Sequence, residues 1–326
     1  MKTVPAPRRP REGSGQSSSQ PGGASPGVFR RLDVEVRRRL EGPLAGEHRG
    51  LRLGPGSDAE ELARYQPGDD VRRIDWNVTA RALQPQVWRT RAEYALDTWV
   101  LLDQTASMAF GTAAAEKGEV SAQLTAAIAL LIDGPANRVG VASFGAAGLT
   151  WTRPVAGRVA APRVLRRAAG ESRTGLPPVG LAAALDALVR RHRRPGLRVV
   201  VSDLLDPTGR HERPFDWEPP LRRLAARHDV VVLEVLDPRE LDLPDVGHLV
   251  LLDPETGRRR DVFTGDPRMR ARYAAAAAAQ RSAVAAAARS CGAAHVRLRT
   301  DGDWVADLAR AVRSRRTTPP RRRKVR

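Results

Sequence analysis

One cysteine in 326 residues, Cys291, excludes an intrachain disulfide and points to a reducing compartment, by default the cytoplasm. Lysine is almost absent: of 55 basic residues only Lys2, Lys117 and Lys324 are lysine. Together with enrichment in Ala, Gly and Pro, the preference for Arg looks like genomic base composition, so the net charge of +18 is a weak pointer to nucleic acid. No apolar run is long enough to span a bilayer. The weakly polar stretch from Ala271 to Ser290 is mostly alanine, interrupted by Arg272, Gln280, Arg281 and Arg289, and is expected to be a soluble helix. Residues 1–27 are rich in Pro, Gly, Ser and Arg without an apolar core, so they are expected to be a disordered basic arm, neither a secretory signal nor an anchor.

Several catalytic signatures are missing as well. There is no Gly-x-x-x-x-Gly-Lys-Ser/Thr loop, no Gly-x-Gly-x-x-Gly after a strand and no Gly-x-Ser-x-Gly elbow, so the chain is neither a P-loop ATPase nor a serine hydrolase of that type. The six histidines, His48, His192, His211, His228, His248 and His295, form no short pair, which argues against zinc. A haloacid-dehalogenase-type phosphatase needs a second Asp where Thr105 stands.

What is present is an apolar run, Thr98 to Leu102, that ends in Asp103, Thr105 and Ser107. A buried strand would deliver these oxygens to the carboxyl edge of a sheet, where open α/β folds place ligands, and hard cations such as Mg²⁺ prefer oxygen donors. A second apolar run, Leu197 to Val201, ends in Ser202 and Asp203, so two strand ends could meet around one ion. Asp and Ser at strand ends also make turns and caps without any ligand.

From Thr98 onward apolar runs alternate with helical periodicity, the pattern of a parallel sheet with crossover helices. Strands are expected at Trp99–Leu102, Val139–Phe144, Leu197–Val201, Val230–Val235, His248–Leu252 and His295–Leu298, with an antiparallel edge at Gly148–Thr152. Helices are expected at Val28–Leu40, Lys117–Ile132, Pro162–Ala169, Leu181–Arg191, Pro219–Arg227, Arg268–Ser290 and Trp304–Arg313. On Lys117–Ile132, the residues Val120, Leu124, Ile128 and Leu131 share one face.

Leu101-Leu102-Asp103-Gln104-Thr105-Ala106-Ser107-Met108 resembles the Asp-x-Ser-x-Ser metal-ion-dependent adhesion site of von Willebrand factor type A domains. Upstream, Tyr65 to Asn77 with Ala80-Arg81 is similar to the signature of domain-of-unknown-function family fifty-eight, carried here by Gly68, Asp69, Asp70, Arg72, Asp75 and Trp76. The resemblance covers roughly residues 45 to 210, and the long upstream signature is its more specific part. It implies a doubly wound, mostly parallel α/β sheet of Rossmann-like type and a non-enzymatic interaction module, the partner of a MoxR-type AAA ATPase in chaperone or complex-maturation work. It also implies Mg²⁺ held by Asp103, Thr105, Ser107 and Asp203. Val179 stands where that family's second loop supplies a threonine, with Ser172 or Thr174 as substitutes across Pro177-Pro178, so the metal site is expected to be degenerate.

The expected layout is a disordered basic arm over 1–27, a signature segment over 28–96 with Trp76 as a buried anchor among the charges of Asp69, Asp70, Arg72, Arg73 and Asp75, a type A-like domain over 97–312 and a disordered basic tail over 313–326. Alternative functions are a Mg²⁺-dependent hydrolase using Asp103 and Asp203, or a binder of anionic polymers or membrane surfaces through the tail. The tail carries eight of the eighteen excess positive charges without interleaved aromatics, so it supports no specific nucleic-acid contact. Any contact it makes with DNA or anionic vesicles should weaken steeply as salt rises, and binding that ignores salt would remove the electrostatic role.

Overall fold

The computed structural model describes residues 32–35, 60–65, 71–82, 84–90, 97–112, 115–132, 137–168, 178–206, 209–252 and 257–317. The expected arm and the last nine residues of the expected tail lie outside them.

Two short strands, β1 (Glu60–Arg64) and β2 (Gln86–Thr90), pair antiparallel and flank a 3-10 turn at Val71–Arg73 and the helix α1 (Trp76–Ala82). The central sheet has six strands: β3 (Asp97–Gln104), β4 (Arg138–Gly145), β5 (Gly148–Trp151), β6 (Leu197–Ser202), β7 (Asp229–Leu236) and β10 (Ala294–Arg299). They lie in the order β10-β7-β6-β3-β4-β5, all parallel except the edge strand β5, which pairs antiparallel with β4. Counted along the chain this is the doubly wound order 3-2-1-4-5-6, whose direction reverses between the first and fourth strands, β3 and β6. The mostly parallel α/β sheet expected from the alternation is thus observed.

Alternation along β3 feeds two cores. Val100 and Leu102 face a cluster shared with α2 (Lys117–Leu131), α3 (Gly157–Ala168) and α7 (Trp304–Thr317). Trp99 and Leu101 face a second cluster with α4 (Leu181–Arg191), α5 (Glu218–Ala225) and α6 (Pro267–Ser290). Burial on both faces explains why the central strands read as continuous apolar runs. Leu32, in the described turn of the helix expected over Val28–Leu40, packs on the first cluster.

Four features differ from expectation. The run His248–Leu252 is β8, but it pairs antiparallel with β9 (Arg259–Phe263) in a separate hairpin; both strands are too charged or too exposed on one face to enter the sheet. Helix α2 is buried on nearly every side, because its alanines let neighbours approach where longer side chains would keep water. Helix α7 continues to Thr317, into the segment expected to be tail. Trp76 is 69 % exposed and so is not the buried anchor expected, while Asp75 caps α1 by accepting from the backbone N–H groups of Asn77 (3.0 Å) and Val78 (3.1 Å).

At the centre of the second core, Gly140 on β4 lies opposite Trp99, and a Cβ there would meet the indole at 2.6 Å. The bare backbone lets Trp99 reach His192, 3.9 Å between ring centroids, and the edge of Trp151. Gly140→Ala should therefore cost about 1–3 kcal/mol in denaturant unfolding by displacing the indole; an unchanged midpoint would contradict this packing.

Candidate functional site

The carboxyl ends of β3 and β6 meet at the reversal point of the sheet, where open α/β folds bind their ligands. Asp103 is 4 % exposed. Its Oδ1 accepts from the Thr105 backbone N–H (2.9 Å) and hydroxyl (2.6 Å), and its Oδ2 accepts from Ser202 Oγ (2.6 Å) at the end of the adjacent strand. The hydroxyls of Thr105 and Ser107 lie 3.1 Å apart, and Ser107 bonds in turn to the carboxylate of Asp203. The four residues expected at the site, Asp103, Thr105, Ser107 and Asp203, are therefore brought together in one hydrogen-bonded chain.

Local backbone geometry aims Asp203. Leu204 adopts a left-handed conformation with φ of 56°, which costs a branched residue on the order of 1–3 kcal/mol. It is held there because Ser202 Oγ accepts from the Leu204 N–H (3.0 Å) and Asp203 Oδ1 accepts from the Leu205 N–H (3.1 Å). Across the switch point, Gly145 ends β4 against Gln104, where a Cβ would come within 2.3 Å of the Gln104 carbonyl.

The element that sequence reasoning missed is a lysine. Lys117, in the first turn of α2, has no exposed surface, and its ammonium donates to Asp203 Oδ2 (2.7 Å) and to Glu240 Oε1. Glu240 also accepts from the Asp237 N–H (3.1 Å), closing a capping box on the turn after β7. Asp237 accepts from the backbone N–H and hydroxyl of Thr112 and from Thr300 Oγ1, so the loop after β3 is tied to the ends of β7 and β10. Behind Asp203, buried Arg281 of α6 donates to its carbonyl (2.9 Å) and to Glu234 (3.1 Å), which also pairs with His295 and Arg297. The one signal in the sequence was rarity: Lys117 is the single lysine away from the two ends.

Charge follows from this arrangement. Burial and then the neighbouring Asp203 charge push Asp103 up to about 7, against partial relief from Ser202 and Thr105. Burial would raise Asp203 too, but the Lys117 charge and hydrogen bond outweigh it and hold that carboxyl below its ordinary range. Burial works against the Lys117 ammonium, yet Asp203 and Glu240 overcome it and raise its affinity for the proton. Glu240 is raised, since burial, together with Asp203, exceeds the pull of Lys117.

These residues do not fit the Mg²⁺ that the motif implied. An octahedral ion needs several oxygens with free lone pairs and a net negative pocket. Here both Asp103 oxygens accept short hydrogen bonds, Asp203 holds an ammonium, and Val179 packs against the second core with its N–H on the Gly145 carbonyl (3.0 Å). Ser172 and Thr174 lie outside the described residues, as do Gly68, Asp69 and Asp70. Among the described residues no group of three or more His, Cys, Asp or Glu side chains is placed to hold a metal. Arg72, Asp75 and Trp76 belong to the layer of β1 and β2, joined to it by the Ile74–Val87 bridge.

The raised Asp103 sets a pH dependence. The folded chain keeps a proton that the unfolded chain releases above its ordinary value of 3.8, so the Asp103 contribution favours folding most at low pH and declines as pH rises towards about 7. Relative to Asp103→Asn, the wild type should lose stability on the order of 4 kcal/mol between pH 4 and pH 8, at about 1.4 kcal/mol per pKa unit. Parallel denaturation curves for the two proteins across that range would contradict the shift.

The profile described as "Protein of unknown function DUF58" matches residues 61–283. An uncharacterized protein of Mycobacterium bovis is 46 % identical over 290 residues, 89 % of each chain, and an uncharacterized protein of Mycobacterium avium is 50 % identical over 143 residues, 43 % of this chain and 80 % of its own. Among solved structures the chain is similar to the conserved hypothetical protein BatB from Bacteroides thetaiotaomicron, with a TM-score of 0.41 and 14 % identity over 69 % of this chain and 100 % of that one. It is also similar to the SpRpn10 VWA domain, with a TM-score of 0.33 and 11 % identity over 66 % of this chain and 93 % of that one. With the profile spanning more than half of its length and a relative 46 % identical over 89 % of it, the chain belongs to the family described as Protein of unknown function DUF58.

Proposed function

We propose that the chain is a non-enzymatic protein-interaction module whose carboxyl-edge loops dock a partner, and that the partner is a MoxR-type AAA ATPase, as the family resemblance implies. The observation that carries this is the condition of the edge itself. Lys117 satisfies Asp203 and Glu240, and Thr105 and Ser202 satisfy Asp103, while the loop they brace leaves Phe110 38 % exposed beside Gln104, Ala106 and Ala109. A closed network with an exposed aromatic above it suits binding better than chemistry, because aromatic side chains dominate contact energetics and a reacting group must instead be open to its substrate.

A Mg²⁺-dependent hydrolase built on Asp103 and Asp203 is disfavoured by the same hydrogen bonds, which occupy both carboxylates. Among the described residues no helix is long and apolar enough to cross a membrane. The proposal places the chain in the cytoplasm, where buried Cys291 stays a thiol.

Immobilised full-length chain should retain a MoxR-type ATPase from the same cell, and Phe110→Ala should reduce capture about tenfold, the effect expected for one aromatic anchor, in a variant that still unfolds cooperatively. Failure to retain any such ATPase, or hydrolysis of phosphate esters abolished by Asp103→Asn, would overturn the adaptor function.

A further inference from the structure

We infer that the ammonium of Lys117 stands in the place of a divalent cation at this sheet edge, so that the site is closed to metal and its positive charge is built into the chain.

Position is the first reason. The two strand ends that bring Asp103 and Asp203 together supply oxygens from opposite sides of the switch point, linked through Thr105, Ser107 and Ser202. Asp203, ionised and buried beside Asp103, needs a counter-charge. Lys117 supplies it to Asp203 directly at 2.7 Å, and Glu240 binds the same ammonium from the turn after β7. Phe110 covers it from the loop after β3, with its ring centroid 5.9 Å from Nζ. Oxygens on two sides and an aromatic ring near a third leave the cation fully enclosed.

The residue type is the second reason. An ammonium is a compact point charge with three donors, the nearest side-chain equivalent of a small ion, whereas the planar guanidinium of Arg demands a fork of acceptors. This chain uses Arg almost everywhere else: the other two lysines are Lys2 and Lys324, far from the site in sequence. A cation in the first turn of a helix also opposes the helix macrodipole. Lys117 departs from both tendencies, and its side chain turns inward onto carboxylates.

The third reason is the missing donor. Val179 presents no hydroxyl where the metal-binding pattern has a threonine, and its backbone N–H is already bound to Gly145. The absent hydroxyl and the internal cation are complementary: the ammonium balances the carboxylate charge that a metal would otherwise balance. Attachment of a partner here therefore needs no bridging ion, whichever partner it is.

The test uses the full chain with Lys2→Arg and Lys324→Arg, which leaves Lys117 as the single lysine without touching the site. The chain carries ¹³C-labelled lysine, and the Cε–H signal is followed while Mn²⁺ is added to equimolar amount. Paramagnetic Mn²⁺ seated between Asp103 and Asp203 would lie close enough to erase that signal. Retention of full intensity, with a melting temperature that neither Mg²⁺ nor EDTA moves, is the expected result. Erasure of the signal, or a Mg²⁺-dependent rise in melting temperature that Asp103→Asn abolishes, would overturn the inference.

Discussion

The contact between the Lys117 ammonium and the Asp203 carboxylate is the interaction on which the carboxyl edge depends. Both groups are out of water, and neither could be buried alone, since an isolated ion in such surroundings costs many kcal/mol. Because Asp203 ends β6 and Lys117 opens α2, the pair joins a strand to the helix that follows the neighbouring strand. Glu240 extends it to the turn after β7, and Asp237 carries it on to Thr112 and Thr300. From the other side Arg281 fixes the Asp203 carbonyl and joins it to Glu234 of β7, which pairs with His295 and Arg297 further back along β10. One ion pair thus lies within a continuous polar layer that spans β3, β6, β7 and β10 at their carboxyl ends.

That layer has a counterpart at the amino ends of the same central strands. Fully buried Arg198 on β6 donates to the Asp97 carbonyl (2.6 Å) and pairs with the Asp97 carboxylate (3.0 Å) at the start of β3. Between these ends, Trp99–Leu102 of β3 and Val199–Val201 of β6 are apolar and feed cores on both faces. The apolar middle supplies most of the stabilisation by removing hydrocarbon from water, while the charged ends penalise any slip of β3 against β6, since a shifted register would strand buried charges. The same network braces residues 104–112, so the docking surface proposed around Phe110 would be ordered before contact, which lowers the entropic cost of association.

Much of this was legible in the sequence, for physical reasons. Strand ends at Asp103 and Asp203 stand out because a switch from apolar to polar side chains marks where a buried strand leaves the core, and the alternation with helices dictates a parallel sheet. The hairpin of β8 and β9 was less legible: His248–Leu252 has strand-forming residues, but its exposed Val250 and Leu252 belong to a surface ribbon, a distinction that local propensity does not carry. Trp76 misled for a similar reason, since large aromatics are usually buried and this one is not. The ionic centre was hidden by distance along the chain. Lys117 is 86 residues from Asp203 and 123 from Glu240, and a lysine at a helix start ordinarily reads as solvated surface. Motif comparison drew attention to the oxygens and away from the cation that the chain itself provides.

The central claim is that Lys117 and Asp203 stabilise each other as a buried pair. A double-mutant cycle with Lys117→Met, Asp203→Asn and the combined variant, read by equilibrium unfolding, measures that interaction directly. A coupling of about 3 kcal/mol, with the double variant more stable than Lys117→Met alone, is the predicted result, because each single change leaves a buried charge without its partner. Coupling below about 0.5 kcal/mol, the level of independent surface sites, would contradict it.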